Sequence, residues 1–290
     1  MRYIIIDLEW NGAFSGKLGK YFNEIIEIGA VALNEKLETV DEFSMLVSPT
    51  FNRKLSGRVK RLTHISNSEV STGLDFRKAM ATFTQWVGKD ENCFLSFGTG
   101  DILVMLENFE VYGMGSALGF MDAYCDLQQL CQYNMDDVDA GQQLGLSALA
   151  ERLGIEVGDM DMHRALDDSI VSAECLRRSF DSNVFSSLRH TADTEFYNWL
   201  NFKTVPVLDL DHYGVNICRL MQTCPECGVI LKRTTAFNQK SRGFVAQFVC
   251  GKCGRKYSGK HYIKLKYEGL VYRSTLSEVG ASTLGKENEE

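Results

Sequence analysis

The chain has 290 residues, 44% of them hydrophobic, with three prolines and no low-complexity tract, which excludes a disordered or fibrous protein and leaves ample material for a core. A net charge of −7 excludes a uniformly basic nucleic-acid binder, yet the charge is divided: residues 1–214 hold 18 basic against 32 acidic side chains, and residues 215–275 hold 12 against 2. No apolar run approaches the ~20 residues that span a bilayer and the N-terminus lacks the pattern of a signal peptide, so a cytoplasmic location is expected.

Residues 3–8, YIIIDL, read as a strand buried on both faces, followed by a loop through Gly19. Apolar segments at 25–33 and 40–47, separated by the polar NEKLE, predict two further strands in an antiparallel hairpin. A basic, irregular stretch runs from 51 to 70. Phe76, Met80, Phe83 and Val87 then recur at helical spacing. A short buried strand is expected at 93–97, a helix at 101–109 and a fifth strand at 120–125. Helices follow around 127–133, 147–153 and 166–178. Three leading strands and then alternating helices and strands define an α/β fold with a mixed sheet. Residues 181–214 are expected to connect this body, residues 1–180, to the basic region at 215–275, with a polar tail at 276–290.

Asp7 and Glu9 in IIIDLEW lie two apart on a strand, so their side chains share one face, and paired anions repel unless a positive charge sits between them. Asp101 in SFGTGDILVML follows a buried strand and opens an apolar helix, where an acid also suits the helix dipole. In MHRALDDSIVSAECL, His163 is expected in the loop before a helix whose first turns carry Asp167 and Asp168, with Asp168 facing the histidine.

The order D-x-E on the first strand, Asp after the fourth strand and H-x4-D on a late helix resembles the DEDDh 3′–5′ exonucleases, the DnaQ-like group of the ribonuclease H-like fold. NEIIEIGAV at 23–31 is similar to that family's second strand, and LTHIS at 62–66 to a loop of its KapD-like branch. Arg164 stands where a tyrosine-containing variant of the site would carry its tyrosine. The resemblance covers residues 1–180 and implies a mixed five-stranded sheet flanked by helices. It implies that Asp7, Glu9, Asp101 and Asp168 hold two Mg²⁺ or Mn²⁺ ions, and that His163 takes the proton of the attacking water. Imidazole, with an ordinary pKa near 6.5, suits that task. Leu8, Trp10, His64 and Ile65 are expected around the terminal nucleotide from motif position, with Trp10 and His64 departing from the family's usual small residues. The implied substrates are single-stranded RNA or DNA 3′ ends, RNA ahead of DNA. The alternative is a catalytically silent nucleic-acid-binding or regulatory protein on the same fold.

Cys224, Cys227, Cys250 and Cys253 form C-x2-C-x22-C-x2-C, slightly longer in the middle than the usual zinc pattern, with each pair followed by glycine; two matched pairs point to a closed structural zinc site. Strands are expected at 230–235, 244–249 and 262–267, giving a small β zinc ribbon with one Zn²⁺. Its Lys232, Arg233, Lys240, Arg242, Lys252, Arg255, Lys256 and Lys260, interleaved with Phe237, Phe244 and Tyr257, suit phosphates and base stacking.

Overall fold

The three isoleucines at 4–6 fix β1 (Arg2–Ser15) at the centre of a sheet, each at most 2% exposed. A computed structural model describes residues 1–135, 143–156 and 163–279. β1 returns through Gly19, whose φ of 63° a glycine adopts without strain, into the antiparallel β2 (Lys20–Leu33). The hairpin is longer than the sequence suggests: the stretch read as a loop up to Gly19 is strand through Ser15, because Ala13 and Phe22 pack together against Val111. β3 (Thr39–Leu46) adds antiparallel to β2, while β4 (Asn92–Ser96) and β5 (Ala123–Asp126) continue parallel on the other side of β1. A two-residue β6 (His190–Thr191) completes the order β3-β2-β1-β4-β5-β6. The five expected strands are present in a mixed sheet, and β6 is an addition too short to leave an alternating pattern.

Successive residues of β1 serve opposite faces. Ile4, Ile6 and Leu8 join a core with α3 (Phe76–Val87), α4 (Gly100–Val111) and α9 (Thr194–Asn201). Tyr3 and Ile5 join the core beneath α5 (Leu127–Gln132), α6 (Leu146–Arg152), α7 (Ala165–Ser179) and α8 (Ser182–Leu188). The stretch read as irregular holds two short helices, α1 (Gly57–Thr63) and α2 (Asn67–Val70), started by Ser56 and Ser66. Both serines accept a backbone N–H from the first turn, the usual N-cap device.

Two compact units divide at Leu200/Asn201. Residues 181–200, expected in the connector, belong instead to the first unit: Val184 and Phe185 enter one core, and Phe196, Tyr197 and Leu200 the other. The second unit is mostly β among its described residues, with one 3-10 turn at Ile217–Leu220: β7 (Val205–Pro206), β8 (Lys232–Arg233), β9 (Asn238–Lys240), β10 (Gly243–Val249), β11 (Lys256–Lys266) and β12 (Gly269–Glu278). β11 starts earlier than expected and turns back as β12, which takes in residues 276–278 of the expected tail; residues 280–290 lie outside the described residues. Among the described residues no helix is long and apolar enough to cross a membrane.

Candidate active site

β4 pairs with β1 only as far as Leu95 opposite Ile5, so the next stretch of β1 has an open edge. The Leu8 N–H on that edge donates to Asp101 Oδ1 at 3.1 Å. Asp101 is brought there by the turn at 97–99. Gly98, φ 79°, is held through its carbonyl by Ser96 Oγ (2.6 Å) and the Tyr124 hydroxyl (2.8 Å), and α4 begins two residues later.

Asp168 arrives from the other side, in the first turn of α7. That helix lies directly on β2: a Cβ on Gly29 would stand 2.0 Å from the Ala165 carbonyl carbon, so only glycine permits the approach. Ser169 Oγ donates to the Gly29 carbonyl at 3.1 Å. His163 precedes the helix with a left-handed φ of 77°, and its backbone N–H donates to Asp168 Oδ2 at 3.2 Å. The imidazole stands exposed, with a ring nitrogen within 4.8 Å of carboxylate oxygens of both Glu9 and Asp168, which lie within the same distance of each other.

Glu27, which sequence reasoning passed over, and Arg164, which it noted only for standing in place of a tyrosine, lock this arrangement. Glu27 sits opposite Glu9 across the β1–β2 pair and is 1% exposed. It receives Arg164 Nε at 3.1 and 3.2 Å, Arg164 Nη2 at 2.6 Å and the Ala165 N–H at 3.1 Å. An acid from the sheet therefore starts α7, whose own N-cap residue makes no side-chain cap. The signal was present in the sequence: an acid in the middle of an otherwise apolar strand needs a buried partner.

The acids around the site, buried or half-buried, divide into two kinds. Glu24 accepts the N–H groups of Thr50, Phe51 and Asn52 and the Tyr112 hydroxyl, and Glu27 is saturated as described. Asp7 and Glu9, by contrast, accept no hydrogen bond among the described residues, and Asp168 Oδ1 is buried without a partner. Burial pushes the Asp7 carboxyl well above its usual range, and the charges of Asp101, Asp168, Glu9 and Glu27 push it further. Glu9 is raised to about 8 by burial and then by Asp168, Glu27 and Asp101, with Arg164 opposing. Burial lifts Asp101 to about 7 against its bond from Leu8, and lifts Asp168 against the His163 N–H. Hard oxygen donors crowded together, short of partners and resisting ionisation fit divalent cations.

Of the residues expected at the terminal nucleotide, Leu8 and Ile65 are corrected. Each is 2% exposed, Leu8 in the core of α3 and α4 and Ile65 against Ile26, Leu55 and Val70, so neither side chain offers a surface to a base. Trp10 is half-buried beside Glu9, and His64 is exposed with a left-handed φ of 55°.

In the second unit the sulfurs of Cys224, Cys227, Cys250 and Cys253 also lie within 4.8 Å of one another. Cys224 and Cys253 are 3.8 Å apart, the ~3.8 Å edge of a tetrahedron with Zn–S of about 2.3 Å. Matching turns present them: Gly228 N–H donates to the Cys224 carbonyl and Gly254 N–H to that of Cys250, both at 2.9 Å and both with positive φ. The thiols fit one zinc ion. Three expected surface residues of the ribbon are otherwise engaged. Phe244 and Tyr257 are buried, and Arg255 pairs with Glu226 and Glu278.

Four carboxylates and a histidine gather at the end of the first strand of this sheet, an arrangement matching the DEDDh pattern. Residues 4–176 match the exonuclease family RNase_T, and the chain belongs to that family. Among relatives, a DNA polymerase III PolC-type of Clostridium perfringens (strain 13 / Type A) is 30% identical over 210 residues, 72% of this chain and 13% of that protein. The PolC-type polymerase of Staphylococcus saprophyticus is 26% identical over 172 residues, 59% of this chain and 11% of its own. The chain thus spans about an eighth of these relatives. In fold it is similar to a 3′-exonuclease solved for 3′-end specific recognition of histone mRNA stem-loop, with a TM-score of 0.54 and 23% identity, covering 61% of this chain and 80% of that one. It is similar too to E. coli exonuclease I in complex with a dA16 oligonucleotide, with a TM-score of 0.50 and 12% identity, covering 91% and 55%.

Proposed function

We propose that this exonuclease works in the 3′–5′ direction on single-stranded ends, releasing nucleoside monophosphates, with RNA ahead of DNA. The observation that carries the reading is the convergence of Asp7, Glu9, Asp101, Asp168 and His163, with Asp168 Oδ1 buried and unpartnered. In it the four acids hold two divalent cations, Mg²⁺ or Mn²⁺, which when bound relieve charge on the phosphoryl oxygens and acidify a water. His163, exposed and beside Glu9 and Asp168, accepts the proton of the attacking water at a ring nitrogen. Asp101, tied to the β1 backbone, and Asp168, tied to the His163 N–H, keep their oxygens fixed. Trp10 and His64 border the last nucleotide. The chain's five cysteines outside the ribbon cluster, all without disulfides, support a cytoplasmic location.

The ribbon, in this reading, grips the nucleic acid. Support for RNA comes from structural neighbours described with a histone mRNA stem-loop and with rAMP, while the dA16 complex keeps DNA in play. The test is digestion of 5′-labelled RNA and DNA 20-mers in Mg²⁺. We expect a ladder shortening from the 3′ end with the label retained, faster on RNA. Early release of the label as a mononucleotide, internal cuts, or binding without turnover would overturn the reading, the last in favour of a silent nucleic-acid-binding protein.

A further inference from the structure

The sheet of the second unit has two unlike faces. One carries Phe244, Ala246 and Phe248 of β10, Tyr257, His261 and Ile263 of β11, and Leu276 of β12, and it is closed by packing. Strand alternation puts Lys256, Ser258, Lys260, Tyr262, Lys264 and Lys266 of β11 on the opposite face, where all but Ser258 are exposed. Register adds Arg273 of β12 directly beside Tyr262, and Lys232 and Lys240 opposite Val249 and Gly243 of β10. None of the strand residues on this face is acidic, and the five cations of β11 and β12 make no ion pair among the described residues. Of the acids that pair with Arg255, Glu278 is registered with the inward-facing Tyr257, and Glu226 lies outside the strands.

Tyr262 has a made seat. A Cβ on Gly243 would come within 2.8 Å of its Cδ1, so the glycine leaves room for one side of the ring while the residue stays 37% exposed. A held aromatic ring is thus flanked along β11 by lysines on both sides, same-face neighbours being ~6.6–6.8 Å apart on a strand.

We propose that this open face, centred on Lys260, Tyr262, Lys264 and Arg273, is a sequence-independent track for single-stranded nucleic acid, the cations taking backbone phosphates and Tyr262 stacking a base. The proposal deepens the nucleic-acid reading of the ribbon and rests on it. Flexible lysines provide point charges for phosphates and no bidentate fork for a base edge, so the grip follows charge rather than sequence. The structure also reassigns the aromatic role. Phe244 and Tyr257, which the sequence offered, face the core, and Tyr262 stands among the charges.

The test measures binding of a labelled dT20 strand by fluorescence anisotropy across a KCl series, with full-length, zinc-loaded protein carrying Asp7→Asn to prevent hydrolysis. Replacing Lys260, Lys264 and Arg273 together by Gln is expected to lower the slope of log K against log[KCl] by about 2, from three contacts at ~0.7 each. Replacing Arg219, Arg233 and Lys252, cations off this face, removes the same charge and is expected to change the slope by less than half as much. Tyr262→Ser should weaken binding at least about 5-fold at every salt concentration without altering the slope, and Tyr262→Phe should restore it. Equal loss from both triple variants would overturn the assignment of the face. So would selective displacement of an acidic peptide, rather than dT20, by the face variant. A protein that digests end-labelled strands but shows no salt-dependent binding would sink the track and leave the exonuclease reading standing. Absence of digestion would sink that reading itself.

Discussion

At the scale of single residues, the site is defined by what its carboxylates lack. Glu24 and Glu27 are buried and saturated, whereas Asp7, Glu9 and Asp168 are crowded with oxygens left over. The pH dependence follows with a definite sign. These acids have folded pKa values raised above the ordinary 3.8 and 4.5, to about 7 for Asp101 and about 8 for Glu9. The unfolded chain therefore sheds its protons first, and stability falls as pH rises between about 4 and 8. Without added divalent cation, we expect the melting temperature of the first unit to decline from pH 5 to pH 8, and Mg²⁺ to restore more of it at pH 8 than at pH 5. A flat profile, or equal rescue at both, would contradict the electrostatics.

Glu27 acts through its neighbours. Its hold on Arg164 and the Ala165 N–H sets where α7 begins, and hence where His163 and Asp168 stand. Residues that support a metal ligand typically cost 10–100-fold when changed. Glu27→Gln is expected to reduce kcat within that range and to raise the Mg²⁺ concentration needed, with far-UV circular dichroism unchanged. An unaltered Mg²⁺ requirement would remove Glu27 from this role.

At the scale of elements, the approach of α7 to β2 at Gly29 is the tightest constraint on the site. Gly29→Ala places a methyl carbon on the Ala165 backbone, so the helix has to retreat. Overpacking of this kind costs ~1–3 kcal/mol, or about 2–12 °C in melting temperature at this size. Activity should fall further than stability, since Asp168 moves with the helix; a variant with wild-type melting temperature and rate would refute the constraint. Much of this level was legible in the sequence. Short apolar runs located β1, β2 and β3, a 3.6-residue period located α3, and the spacing in HRALDD put His163 before the helix and Asp168 in its first turn. What escaped depends on distant partners. The β1–β2 hairpin extends because Ala13 and Phe22 meet Val111, and α8 and α9 join the body because the cores receive them. Leu8 and Ile65 were placed by motif, and motif position says nothing of which way a side chain packs.

At the scale of the whole molecule, an acidic catalytic unit and a basic ribbon divide the charge, and the cysteine spacing made the second legible before its strands were. The ribbon's composition pointed to nucleic acid, but which aromatics face solvent depends on register, settled only once β10, β11 and β12 are paired. The central claim is that four carboxylates from β1, α4 and α7 exist to hold two cations for phosphodiester hydrolysis. It is tested most directly by titrating zinc-loaded protein with Mn²⁺ under electron paramagnetic resonance, wild type beside Asp7→Asn, with hydrolysis of an end-labelled strand followed in the same samples. We expect two Mn²⁺ bound per wild-type chain, and in Asp7→Asn a loss of at least one together with a rate reduced by more than about 100-fold. Two ions bound and full hydrolysis in Asp7→Asn, or no Mn²⁺ bound by an active wild type, would contradict it.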